Sequence, residues 1–492
     1  MVFSSVVFLF LFLPVVLALY RLTPRRARNA FLLLASGLFY FWGEAWLLGV
    51  MLGSSLLDFG CGLWMTRSAR RAGGEPRLVP GAPRSRGQRA ALVLSLAGNL
   101  GVLGFFKYFD FGVENWAALM QRLGLEALAW QPGLDIALPL GISFYTFQSM
   151  SYTIDVYRGQ VAATRRPVDF LCFVTMFPQL VAGPIVRYRD IASQLVERVV
   201  TLDGFAAGVR RFAVGLGKKV LVANSVAVPA DAIFGLAPEQ LTAPVAWFGL
   251  LCYTLQIYFD FSGYSDMAIG LGRMLGFKLP ENFDYPYIAR SVREFWRRWH
   301  ITLSRWFRDY LYIPLGGGRR GTSRTYRNLL LVFLLCGLWH GAAWNFVLWG
   351  LWHGLFLVIE RVLGTGGGKA PKGPARLGAH LYTLAVVVLG WVLFRADTLG
   401  HALGYFKALL GANAIDLVLH PLVHFVDAKV LTVAALGVLG CAPVLDRLSR
   451  TGSHGAPRLL AVARTVGVAG LLLASAMTLS AGTHNPFIYF RF

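Results

Sequence analysis

The run NLLLVFLLCGLWHGAAWNFVLWGLWHGLFLVI, residues 328–359, contains no acid and no base apart from its two histidines. At about 1.5 Å of rise per residue it is long enough for two passes through a roughly 30 Å hydrocarbon core, or for one broken pass. His340 stands thirteen residues beyond Arg327, the last strong base before the run. That spacing puts it about 20 Å in, near the middle of the core, where an ionisable side chain is a functional hypothesis by default.

The rest of the chain has the same character. Of its 492 residues 56% are hydrophobic and 15% charged, a balance no ordinary soluble domain has. Apolar runs of roughly 15 to 22 residues recur from end to end, which predicts an all-α integral membrane protein of about ten to twelve crossing helices, read as one domain. The net charge of +22 lies in short loops, so it predicts no nucleic-acid partner. Arg21, Arg25, Arg26 and Arg28 follow the first run, and Arg67, Arg70, Arg71, Arg77, Arg84, Arg86 and Arg89 follow the third. Both loops are predicted to be cytoplasmic by the positive-inside rule. The first run, Val2 to Tyr20, has no base before it and no cleavage site after it, so it reads as a retained helix with the N-terminus outside. Asn29 to Trp42 and Ala45 to Met65 form a hairpin, and Ala90 to Phe109 exits to an outer loop bearing Asp110, Glu114, Glu126 and Asp135.

Ile136 to Tyr157 returns inside on charge placement more than on apolarity. Val168 to Gly183 is short and flanked by Arg165, Arg166, Arg187 and Arg189, which predicts a re-entrant hairpin with bends near Pro178 and Pro184. Irregular backbone at that depth is tolerated only inside protein or beside a cavity. In LQIYFDFSGYSDMAIGLGRMLG, residues 255–276, Asp260 and Asp266 interrupt an apolar pattern; the plain reading is that they cap a helix or pair with an arginine of the next segment. REFWRRWHITLSRWFRDYLYIPL, residues 293–315, sets Trp296, Trp299, Leu303, Trp306 and Tyr310 on one face and predicts an interfacial amphipathic helix. Gly316, Gly317 and Gly318 end it in a turn. Further spans are expected at Leu381 to Phe394, Val430 to Leu445 and Leu459 to Leu479.

Two of the nine histidines lie in Trp-rich surroundings: His300 in RRWHITLS and His340 in GLWHGAAW. A neutral imidazole is the side chain suited to take a proton from a hydroxyl near neutral pH, which is what acyl transfer to an alcohol requires. A core histidine satisfied by a backbone carbonyl is the competing reading for either residue alone. No G-x-S-x-G elbow is present, and the H-E-x-x-H spacing is absent, so no metal site is predicted. Cys336 lies one turn before His340 and reads as a small buried residue rather than a nucleophile. The five cysteines show no redox or metal spacing.

The two histidine strings, FWRRWHITLSRWFRDYLYIPLGG and LWHGAAWNFVLWGLWHG, resemble the membrane-bound O-acyltransferase family, and within it the branch that acetylates alginate and other extracytoplasmic glycans. PLGISFYTFQSMSYTIDVYRG, FPQLVAGPIVRY and LPENFDYPY support the resemblance along most of the chain. It implies a ring of helices around a funnel, with residues 1–292 supplying N-terminal helices, 293–360 the catalytic core and 361–492 the C-terminal helices and tail. It places His340 at the family's catalytic histidine and His300 at its second polar position, with His353 in a less diagnostic WHG. Asp260, Asp266, Asp309, Asn345 and Cys336 become candidates for the funnel wall. The resemblance further implies acetyl-CoA as cytoplasmic acyl donor with no bound cofactor, a polysaccharide acceptor, a periplasmic acetyltransferase partner, and residence in a bacterial cytoplasmic membrane. The closing NPFIYFRF resembles an acyl-shuttle tail in which Tyr489 would carry the acyl group; an interfacial aromatic anchor is the alternative. Transfer of D-alanine or another acyl group is a second enzymatic reading. A transporter using buried His and Asp as proton relays is a third, set against the lack of an internal repeat.

Overall fold

A computed structural model describes residues 2–71, 74–130, 132–134, 136–365, 373–413, 419–444, 457–482, 484–486 and 488. Among them the regular structure is helical, with no strand. Five helices are long and apolar enough to cross a membrane: Leu47–Met65, Arg86–Arg122, Leu202–Phe234, Pro374–Arg395 and Val462–Ser480. Phe8–Leu22 and Ala428–Gly440 are shorter apolar helices. The remaining apolar runs fold as shorter, broken or more polar helices. The chain divides into two compact units.

The first unit comprises residues 10–206 and 271–280. Its helices are α1 (Phe8–Leu22, the first two residues belonging to the other unit), α2 (Arg28–Phe41), α3 (Leu47–Met65), α4 (Arg86–Arg122), α5 (Ile142–Arg158), α6 (Pro167–Thr175) and α7 (Tyr188–Val196). Asp110 and Glu114, expected in an outer loop, are instead helical, because α4 opens on a Ser85 capping box and runs on to Arg122. Asp135 lies outside the described residues. α5 is buried along nearly all its length despite its Ser, Thr and Gln content. Its Ser149, with Ser95 and Asn99 of α4, donates to the fully buried carboxylate of Asp58 on α3. The expected hairpin at 168–183 is two short buried helices broken at Met176, where the Phe177 amide donates to Ser36 Oγ at 3.0 Å.

The second unit comprises residues 2–9, 207–270 and 281–492. It holds most of α8 (Leu202–Phe234) and α9 (Ala243–Met274), then α10 (Val292–Arg298), α11 (Ile301–Phe307), α12 (Thr322–His340), α13 (Trp344–Val362), α14 (Pro374–Arg395), α15 (Leu399–Leu409), α16 (Ala428–Gly440) and α17 (Pro457–Ser480). The sequence gives no clear sign of α8, because Arg210, Arg211, Lys218 and Lys219 interrupt it. The structure explains how they are tolerated: Arg211 and Lys218 each reach Asp266 at 2.7 Å, and Lys219 reaches Asp260 at 2.7 Å.

The run 328–359 folds as two helices, α12 and α13, joined at Gly341–Ala343. Their backbones touch. A Cβ at Gly337 would lie 2.2 Å from the Phe346 carbonyl oxygen, and one at Gly350 would lie 2.2 Å from that of Phe333. Only glycine permits this approach, and the approach fixes where the end of α12 points.

Candidate active site

His340 is the last residue of α12, and Gly341 beyond it is extended, so the imidazole sits where the helix breaks. It is buried, 4% exposed. Three aromatic rings meet it edge-on: Trp339 at 4.8 Å, Trp349 of α13 at 5.0 Å and Phe394 of α14 at 5.2 Å. Such edge contacts are the favoured geometry for aromatic pairs and hold the ring in one plane.

His300 is brought to the same cluster by a break in the chain that the sequence pattern does not reveal. One helix is expected over 293–315, but two seven-residue helices and a π turn at Arg308–Tyr312 form instead. The five apolar residues of the predicted face are all buried. The break falls at His300, whose φ of 42° and ψ of 54° lie in the left-handed region. Among the described residues Tyr285 is the other non-glycine with positive φ. A non-glycine residue in this region costs of order 1–3 kcal/mol, held by surrounding structure, and such positions cluster at functional sites.

That surrounding structure is the segment 282–284. The Ile301 amide donates to the Asn282 carbonyl at 2.9 Å, and the Asp284 amide to that of Arg298 at 2.9 Å. The Asn282 side chain fixes the imidazole. Its Oδ1 accepts from the Thr302 amide at 3.2 Å and from Thr302 Oγ1 at 2.8 Å, while its Nδ2 donates to Ser265 Oγ at 3.1 Å. A backbone N–H can only donate, so Oδ1 is the acceptor, and His300 Nδ1, 3.1 Å away, must carry a proton to bond it. Nε2 is then left with its lone pair, buried and without a hydrogen-bond partner among the described residues. The edges of Phe261 at 4.7 Å and Trp339 at 5.9 Å complete the enclosure. Trp339 is therefore a shared wall, in contact with both histidines.

His353 of α13 is fully buried between Trp296 and Trp349, each 5.2 Å away. Phe394, whose ring meets His340, also lines a pocket of about 220 Å³ with Asn345, Phe346, Arg395, Gln256 and Ile488 among others; none of the three histidines lines it. Asn345 Nδ2 donates to the Ala396 carbonyl at 2.6 Å, and Arg395 reaches Asp231 at 2.8 Å while lying over the ring of Phe234. Cys336 is buried one turn before His340, and the other cysteines are likewise free and buried. The carboxylates singled out in the sequence are held by bases: Asp260 by Lys219, Asp266 by Arg211 and Lys218, and Asp309 by Arg308 at 2.7 Å. For the first two the partners come from the preceding helix α8, not from the next segment. Tyr489 lies outside the described residues. Sequence reasoning passed over Asn282, although it sits in the LPENFDYPY string, and over Lys219 and Arg395, whose partners are distant in sequence.

The model of the membrane-bound O-acyltransferase family, MBOAT, matches residues 164–366, which include both histidines and Asn282. The chain is 43% identical to the probable alginate O-acetylase of Pseudomonas putida over the whole of both proteins. It is 36% identical to the peptidoglycan O-acetyltransferase of Helicobacter pylori over 85% of this chain and 81% of that one. It is 29% identical to the teichoic acid D-alanyltransferase of Bacillus subtilis over 42% of this chain and 55% of that one.

Proposed function

This chain belongs to the membrane-bound O-acyltransferase family and is a multi-pass membrane O-acyltransferase; on that premise we propose that it moves acetyl from cytoplasmic acetyl-CoA toward a hydroxyl of an extracytoplasmic polysaccharide, with His340 as the general base. The observation that carries the reading is the placement of His340, at the broken end of a helix, walled by Trp339, Trp349 and Phe394, the last of which also lines a pocket with polar groups on its wall.

The reaction divides naturally among these residues. His340 takes the proton of the attacking hydroxyl, the oxygen adds to the thioester carbonyl, and the C–S bond breaks. The CoA thiolate leaves and takes up the proton from the imidazolium, so the products are the ester and free CoA. His300, with its Nδ1–H donating to Asn282 Oδ1, offers Nε2 as the second polar group, set across Trp339 from the base. The first acceptor is the glycan hydroxyl or the phenol of Tyr489, which would carry acetyl onward to a periplasmic acetyltransferase. The membrane is the bacterial cytoplasmic membrane, with the N-terminus outside. Basic loops that follow the first and third apolar runs support this orientation and supply arginines for the phosphates of CoA.

The test is the acetyl content of surface glycans in cells carrying wild type, His340→Ala or Tyr489→Phe at equal protein levels. His340→Ala is expected to lose at least on the order of a hundredfold, the usual contribution of general base catalysis. Wild-type acetylation in that variant overturns the assignment of the base. Loss in Tyr489→Phe favours the phenol as first acceptor, and full activity favours direct attack by the glycan. Similarity to a D-alanyltransferase keeps transfer of D-alanine as the second reading, and purified protein offered acetyl-CoA or a D-alanyl carrier thioester separates the two.

A further inference from the structure

Lys219 and Asp260 form an ion pair that is almost wholly buried, with side chains 3% and 2% exposed and 2.7 Å between them. A buried ion pair is a poor source of net stability, because desolvation offsets the attraction, and its best-attested use is to specify one arrangement over others. Both members of this pair spend a remaining hydrogen-bonding position on the same short stretch of chain, more than two hundred residues away. Asp260 Oδ2 accepts from the Ile488 amide at 2.9 Å, and Lys219 Nζ donates to the Pro486 carbonyl.

The neighbouring contacts continue the pattern. Asn485 Nδ2 donates to the Ser4 carbonyl at 3.0 Å, and its Oδ1 accepts from Asn224 at 3.1 Å and from Ser4 Oγ at 3.3 Å. His484 Nε2 lies 3.1 Å from Asp231 Oδ2. Pro486 and Ile488 line the pocket together with Phe394, whose ring meets that of His340. The cation takes a carbonyl and the anion takes an amide two residues later, so a slip of one residue would lose the match. The pair recognises backbone, and the side chains of Asn485 and His484 fix the register.

We propose that the Lys219–Asp260 pair is a clamp that seats Pro486 and Ile488 against the pocket that shares Phe394 with His340, which makes Lys219 and Asp260 positioning residues for acyl transfer. This rests on the acyltransferase reading above. The clamp sets where Pro486 and Ile488 meet the pocket.

The experiment uses the full-length protein in lipid nanodiscs. Seating is read by disulfide formation between cysteines placed at Ser4 and Asn485, and transfer by kcat and KM with the thioester donor. Lys219→Met and Asp260→Asn are expected to cut cross-linking and to lower kcat on the order of tenfold or more, as misplacement of a reacting group does, with KM for the donor held. Lys219→Arg is expected to restore both. The apolar double variant Lys219→Met/Asp260→Leu separates the clamp from a folding role: it removes both buried charges and leaves nothing to hold Pro486 and Ile488. The clamp predicts that it stays defective in both readouts. Recovery of transfer in the double variant, or wild-type kcat with cross-linking lost, overturns the inference while leaving His340 as base. Failure of the acyltransferase reading shows itself separately, as no thioester-dependent transfer by the wild-type protein.

Discussion

His300 donates a hydrogen bond from Nδ1–H to Oδ1 of Asn282 across 3.1 Å, and the same oxygen accepts from the Thr302 amide in the first turn of the next helix. One amide therefore sets the tautomer of the imidazole and stabilises the left-handed turn that presents it. Backbone strain and side-chain chemistry are coupled through a single atom.

Replacing Asn282 by Ala removes that acceptor and strands the Thr302 amide and hydroxyl, at about 1–3 kcal/mol for each buried group left without a partner. Asn282→Ala is expected to lower both the thermal midpoint in detergent and acetyl transfer. Asn282→Asp keeps an acceptor for all three donors and is expected to retain more of each. Equal behaviour of the two variants would mean that the hydrogen bonds to Oδ1 do not position His300.

Trp339 walls both histidines, with ring centroids 5.9 Å from His300 and 4.8 Å from His340. Trp339→Phe keeps an aromatic edge and is expected to retain measurable transfer, while Trp339→Ala opens a cavity costing about 3–5 kcal/mol and frees both rings. Assayed at equal protein levels, the order wild type, Phe, Ala is the expected outcome. Full activity in Trp339→Ala would show that the shared wall is dispensable.

The hairpin of α12 and α13 depends on bare backbone contact at Gly337. Gly337→Ala places a methyl 2.2 Å from the Phe346 oxygen and is expected to cost about 1–3 kcal/mol or more, read as a lower thermal midpoint. Gly378 on α14 has nothing within 4 Å of its added Cβ, so Gly378→Ala serves as the control and is expected to leave the midpoint unchanged or slightly raised.

In the first unit, Asp58 accepts from Ser95 at 2.6 Å, from Asn99 and from Ser149. Asp58→Ala leaves these donors buried without an acceptor and is expected to destabilise strongly, at about 1–3 kcal/mol per stranded group. Asp58→Asn keeps one acceptor oxygen and is expected to fall between Ala and wild type in thermal unfolding. A midpoint for Asp58→Ala matching wild type would remove the network from the account of this unit.

The sequence by itself determined the class of fold and singled out the histidine proposed as the base. Apolar runs, arginines confined to loops and a histidine deep in residues 328–359 are local facts, since the cost of burying charge in hydrocarbon is paid residue by residue and leaves its mark on composition. Tertiary structure decided what depends on distant partners. The helix expected over 293–315 breaks at His300 because Asn282 and Asp284, from another stretch of chain, bind the residues after and before the break respectively. The long helix containing Lys218 and Lys219 is tolerated because Asp260 and Asp266 of α9 neutralise it. Pro486 and Ile488 are held by that same buried pair. In each case a polar group is acceptable only with its partner in place, and nothing in the spacing of residues along the chain says which partner the fold will bring.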